Sequence, residues 1–320
     1  MPIDDLSPNL ARRIAVAFAR QIISPTTQDG SSQAAAVVAN DGRLATAAIM
    51  AAIVEGVRWT GRETIDIGPA SAPCAARAIE HLAAGGGIFL GNAGNTPHTV
   101  GLKFWAQGEP LSQGGLLDGI AALQRTDSSQ AVIDRPTRTF GRLRRFSAAD
   151  AYVGDLRPAY HALRPLRFVL DCGLGPVVSY LEELIRDVAC RVIPCDNTHR
   201  FAEQVVASRA HFGIQISDDG ENCRVVDEQG QAVETERLLA RISPDFAGPV
   251  MRGEELRQQT FRRMRDSHAT IAVDPSGRLW YACGRAAVPD ALQTLTLLLV
   301  LLSRNDLAFS AVLDRERISV

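Results

Sequence analysis

Between residues 34 and 90 the chain alternates three short apolar runs with two stretches of helical period, and that alternation leaves few folds open. Ala34 to Ala39, Thr64 to Ile67 and Gly87 to Leu90 have the length and composition of buried strands. The segments from the turn Asn40-Asp41-Gly42-Arg43 to about Val57, and from Ala72 to Leu82, read as helices. A βαβαβ order implies parallel strands joined by crossovers, with helices on the faces of the sheet. In such sheets chemistry gathers on loops at the carboxyl ends of strands. That directs attention to residues 91–103, Gly-Asn-Ala-Gly-Asn-Thr-Pro-His-Thr-Val-Gly-Leu-Lys, which leave the third strand.

Ahead of this unit, residues 8 to 21 have helical period, with Leu10, Ile14, Phe18 and Ile22 on one face. Behind it, residues 107 to 150 read as a surface helix and a polar linker whose arginines, Arg138, Arg142, Arg144 and Arg145, suit a solvated segment better than an anion site. A second α/β unit follows: strand Arg167 to Cys172, the turn Gly173-Leu174-Gly175-Pro176, a helix to Val188, strand Arg191 to Pro194, helix Phe201 to Ser208 and strand Phe212 to Ile216. The Gly-x-Gly of that turn lacks the third glycine of a dinucleotide fingerprint. Toward the end come a helix of about Glu254 to Asp266, a strand Ala269 to Val273, the tight turn Asp274 to Leu279, a strand to Ala282, and a Leu-rich helix Asp290 to Leu302.

Composition narrows function. A net charge of −2 offers no footprint for nucleic acid or an anionic membrane. The apolar run Leu295 to Leu302 is too short to span a bilayer, and the N-terminus has no signal-peptide pattern, so a cytoplasmic protein is expected. Six cysteines without CxxC spacing fit reduced structural thiols, Cys190 and Cys195 being the pair that could reach a metal. Of 34 basic side chains, 33 are arginine and Lys103 is the single lysine. A lysine retained against that bias points to a place that wants a compact ammonium able to exchange its proton.

Gly87 to Leu90 and the loop behind it resemble the active-site loop of the α-D-phosphohexomutases, the phosphoglucomutase and phosphomannomutase family. There the loop carries a phosphorylated serine in the pattern Thr-Ala-Ser-His-Asn-Pro, followed by Asn-Gly-Leu-Lys. Asn95, Pro97, Gly101, Leu102 and Lys103 match that pattern, whereas Ala93 stands in the serine position. The turn Asn40-Asp41-Gly42-Arg43 resembles the family's Gly-Arg-Asp-x-Arg. The resemblance implies an α/β fold of successive three-layer α/β/α domains with mixed, mainly parallel sheets. It divides the chain into a domain I-like part (1–148), a domain II-like part (149–244) and a shortened domain III-like part (245–320). The family's opening strand and its fourth, phosphate-gripping domain are expected to be absent.

The same resemblance supplies candidate roles. Lys103 would be the general acid/base, with Asn95 and His98 on its loop; Thr96 and His98 are the alternatives for a shifted nucleophile. Asn40 and Arg43 would line the substrate site, as would Asp274, Ser276 and Arg278, which fill positions of the sugar-binding pattern Gly-Glu-x-Ser-Gly-His. Ser217, Asp219 and Glu221 fall in the metal loop Asp-Gly-Asp-Gly-Asp-Arg. Two readings of those three stay open, a weakened Mg²⁺ cage and an acidic turn between strands. With an alanine at the nucleophile position, mutase turnover is expected to be lost, removal of a nucleophile costing on the order of a millionfold in rate. A phosphosugar or another small anion would remain a ligand. A structural subunit is the alternative, with self-association or a partner protein covering the Leu-rich helix.

Overall fold

A computed structural model describes residues 2–22, 35–92, 98–112, 117–119, 139–173 and 175–314. Three mixed sheets organise them. The first has the order β5-β4-β3-β1-β2-β6, with β1 (Ala36–Asn40), β2 (Thr64–Pro69), β3 (Gly86–Gly91), β4 (Gly101–Ala106), β5 (Glu109–Pro110) and β6 (Leu143–Arg145). β1 pairs in parallel with β2 and β3, and β2 with β6; β4 and β5 are antiparallel additions.

Period-two alternation assigns the faces of this sheet. Ala36, Val38, Ile88, Leu90 and Phe104 point to α1 (Pro8–Ile22) and α2 (Ala47–Trp59), where they pack with Ile14, Phe18, Ile49, Ile53 and Val57. Val37, Ala39, Ile65, Phe89 and Trp105 point the other way, toward α3 (Ala72–His81) and α4 (Ala148–Leu156). The three layers are therefore built as the alternation implies.

The second sheet runs β11-β10-β9-β7-β8, from β7 (Arg167–Cys172), β8 (Arg191–Pro194), β9 (Phe212–Ile216), β10 (Cys223–Asp227) and β11 (Ala232–Val233). β7 is parallel to β8 and β9, while β9-β10-β11 is an antiparallel meander. Helix α5 (Pro176–Ile185) buries Val177 and Leu181 on one face, and α6 (Phe201–Ala207) sets Phe201 and Val205 against Val169 and Val226 on the other. The third sheet is β12 (Val250–Arg252), β13 (Ile271–Val273), β14 (Leu279–Cys283) and β15 (Ala286–Pro289) in that order. There only β12 and β13 are parallel, and β13-β14-β15 is an antiparallel meander. Helices α7 (Thr235–Ile242), α8 (Arg257–Ser267), α9 (Ala291–Ser303) and α10 (Phe309–Asp314) complete the chain.

Two readings need correction. Residues 143–145 are not linker: they form the edge strand β6, with Thr64 N donating to Arg142 O and Arg144 paired to Glu63. Arg138 lies outside the described residues. The Leu-rich helix α9 needs no partner to cover it. Leu292, Leu295, Leu298, Leu299 and Leu302 are at most 1% exposed within the chain's own core, each burial contributing roughly 1.5–3 kcal/mol. Asp290 is the N-cap of that helix, accepting from Gln293 N, one residue before the place expected for it.

Candidate functional site

Segments that leave strand ends meet between the three sheets: 40–43 after β1, Asn92 and residues 98–100 between β3 and β4, 217–222 joining β9 to β10, and 274–278 joining β13 to β14. Lys103 does not sit on a loop. It lies within β4, opposite Phe89 of β3, and alternation gives it the same face as Trp105, away from α1 and α2. Its ammonium reaches across to the hairpin loop of the second sheet, donating to Asp219 Oδ2 at 2.6 Å and Glu221 Oε2 at 2.5 Å. Arg257, the first residue of α8, holds the other oxygen of Glu221. One cluster thus ties together all three sheets.

The hairpin loop is shaped by its own hydrogen bonds. Ser217 N donates to Asn222 O and Gly220 N to Ser217 O, and Gly220 takes φ +79°, a left-handed conformation that favours glycine. Ser217 Oγ and Glu221 N both donate to Asp219 Oδ1, at 2.5 and 3.1 Å. Burial pushes the Asp219 carboxyl up, but the Lys103 charge and the hydrogen bonds from Lys103, Ser217 and the Glu221 amide outweigh it. The group is held well below the usual carboxylate range. The loop is also anchored from outside: Ala72 N donates to Asp219 O and Ala291 N to Gly220 O.

The neighbouring residues form a second network. Asp41 accepts from Arg43 N, Arg43 Nε and Asn92 N, and Arg43 also donates to Thr99 O. Asn92, buried at 2% exposure, donates to Asp218 and accepts from Thr99 Oγ1. A Cβ on Gly173 would lie 2.3 Å from Asp218 Oδ1, so a side chain there would require the Asp218 carboxylate to shift. Asn40 is spent on its own turn, accepting from Gly42 N.

At the third sheet, Asp274 is 3% exposed and accepts from Ser276 N, Ser276 Oγ, Arg278 N, Arg278 Nε and Trp280 Nε1. Both carboxylate oxygens are filled from within the loop. Asn222 Nδ2 approaches Ser276 O at 3.5 Å, which places this hairpin beside the 217–222 loop. His98 is exposed, and its carbonyl accepts from Ile3 N. Ala93, Asn95, Thr96 and Pro97 lie outside the described residues.

The structure therefore brings Lys103, Ser217, Asp219 and Glu221 into direct contact, and sets Asn40, Arg43, Asp274, Ser276 and Arg278 on adjoining loops. Sequence reasoning missed Arg257, Asn92 and the pairing role of Asp41. Arg257 belongs to no motif, and its partner is 36 positions away. A divalent ion does not fit the donor set as it stands. Such an ion needs several free oxygens at short, near-octahedral distances. Here an ammonium bridges one oxygen of each carboxylate, a guanidinium holds Glu221 Oε1, and two donors saturate Asp219 Oδ1. Among the described residues no group of three or more His, Cys, Asp or Glu is placed to hold a metal. All six cysteines are free thiols, and burial pushes Cys74, Cys172 and Cys223 each up to about 12. Among the described residues no helix is long and apolar enough to cross a membrane.

Comparison with known proteins agrees with this architecture. Residues 1–128 match the family model described as phosphoglucomutase/phosphomannomutase, alpha/beta/alpha domain I. The phosphoglucosamine mutase of Clavibacter sepedonicus is 29% identical over 261 residues, which are 76% of this chain and 57% of that protein. The phosphoglucosamine mutase of Clavibacter michiganensis subsp. michiganensis is 30% identical over 237 residues, 68% of this chain and 53% of its own. The chain thus spans little more than half the length of these curated relatives. A phosphoglucomutase/phosphomannomutase family protein from Burkholderia thailandensis superposes with a TM-score of 0.78 at 21% identity, over 96% of this chain and 75% of its own. A phosphomannomutase-like structure from Thermus thermophilus gives 0.71 at 16% identity, over 95% of this chain and 78% of its own. By its first 128 residues, its curated relatives and the fold shared along nearly its whole length, the chain belongs to the phosphoglucomutase/phosphomannomutase family.

Proposed function

We propose that this protein is a phosphohexomutase relative without phosphoryl-transfer turnover, whose cleft residues serve to hold the three sheets together. One observation carries the reading: the Lys103 ammonium is shared between Asp219 and Glu221, with Arg257 on the far side of Glu221. A general acid/base must have a lone pair or a proton to exchange with substrate at hydrogen-bond distance. An ammonium whose donors are taken up by two buried carboxylates is turned away from that task. The alanine at position 93, in the serine position of the family loop pattern that residues 91–103 resemble, supports the same reading.

The pairing also bears on ligand binding. A phosphate group arriving at the cleft meets a lysine already neutralised, and Arg43 and Arg278 are paired with Asp41 and Asp274. Because the curated relatives are phosphoglucosamine mutases, the test uses aminosugar phosphates beside glucose phosphates. Incubation with radiolabelled glucose 1,6-bisphosphate or glucosamine 1,6-bisphosphate is expected to leave no label on the protein. Conversion of glucosamine 6-phosphate to the 1-phosphate should stay at the no-enzyme rate. Stoichiometric label on Thr96 or His98, with turnover, would overturn the proposal and establish a shifted nucleophile.

A further inference from the structure

Asp219 and Glu221 turn one oxygen each toward a common point, and Lys103 Nζ occupies it, 2.6 Å from the first and 2.5 Å from the second. Their side chains are 7% and 4% exposed and that of Lys103 is 10% exposed, so water does little to screen the three charges. Two carboxylates held this close out of water repel each other and lose hydration, and they need a cation between them. The chain supplies two: Lys103 from the first sheet and Arg257 from α8. Arg257 is at the helix start, where the helix's own partial positive charge disfavours a cation, and Glu221 provides the counter-charge that position requires.

The identity of residue 103 fits the same geometry. In a chain that otherwise uses arginine at all 33 basic positions, the one lysine stands where a compact, tetrahedral donor bridges two separate carboxylates. A guanidinium presents its donors in a planar fork suited to a single carboxylate. We infer that Lys103, backed by Arg257, is the resident cation of the 217–222 loop, taking the place of the divalent ion that a loop of this pattern would otherwise hold. The loop keeps its shape, and the three sheets stay joined, without metal.

The inference shares residues with the functional reading but does not depend on it. Phosphate uptake by Thr96 or His98 would sink that reading and leave the results below unchanged. Chelator-treated, tag-free protein is melted with and without millimolar MnCl₂, and free Mn²⁺ is followed by its paramagnetic resonance signal. Wild type is expected to leave both the signal and the melting temperature unaltered. Lys103→Met, which keeps the unbranched stem as far as Cε and removes the ammonium, is expected to melt roughly 5–10 °C lower. It should draw Mn²⁺ from the free pool and recover most of that loss. Lys103→Met/Asp219→Asn, with one carboxylate removed, should show no recovery.

If Lys103→Met does not fold on expression, refolding it from urea with and without Mn²⁺ gives the same answer, since the folded fraction by circular dichroism should rise only with the ion. Stoichiometric Mn²⁺ uptake by wild type would overturn the inference. So would a Lys103→Met protein as stable as wild type, or a destabilised one that Mn²⁺ does not rescue.

Discussion

Asp219 accepts from an ammonium, a hydroxyl and an amide at once, and that concentration of donors gives it a pH signature. Its folded-state carboxyl titrates below the unfolded value of about 3.9. The group therefore adds stability above roughly pH 4, and that contribution fades as pH falls through the lower, folded value. Asp219→Asn should be less stable than wild type at pH 7 and should converge with it as the pH drops below about 3. Urea midpoints measured along that range check the prediction; a gap that stays constant with pH would refute it. The residue types at this site were legible in the sequence, because Lys103 is unique and Asp219 and Glu221 sit in a recognisable loop. Their mutual pairing was not legible. Lys103 is 116 and 118 positions from its partners, and no local pattern encodes a contact that forms only when two sheets dock.

Helix α9 shows what periodicity can and cannot supply at the level of one element. A run this apolar is read correctly as buried helix, but the run alone does not say what buries it. The answer lies in Asp290, fully buried at the helix start, which caps Gln293 N and takes Arg77 and Tyr152 as partners on α3 and α4. Asp290→Ala removes a cap and leaves the buried Arg77 guanidinium to the exposed Asp155 carboxylate 3.8 Å away, a loss of roughly 3 kcal/mol. Urea denaturation measures it, and a change under about 1 kcal/mol would show that the cap and ion pair do little. Strands β4 and β6 escaped the sequence reading for an opposite reason. Their residues are short, polar or preceded by turn formers, and they become strands because β3 and β2 offer free edges. Here tertiary pairing overrides local preference.

Across the whole molecule, one apolar core runs from Val37 and Phe89 of the first sheet, through Phe168 and Phe212 of the second, to Trp280 and Leu298 near the third. Such continuity couples the sheets, so that none is expected to open far without the others. The single lysine turns that coupling into something countable. A protease specific for lysine has one bond to cut, between Lys103 and Phe104, and that bond lies in a strand paired with β3. Native cleavage then requires β4 to leave its sheet and Lys103 to leave its carboxylates. The rate should rise with urea along the same slope as global unfolding and yield two fragments, with no earlier intermediates. Cleavage indifferent to urea would instead mean that β4 frays by itself. A chain with its one lysine locked in this position carries its own reporter of unfolding: each cut records one molecule that has come apart.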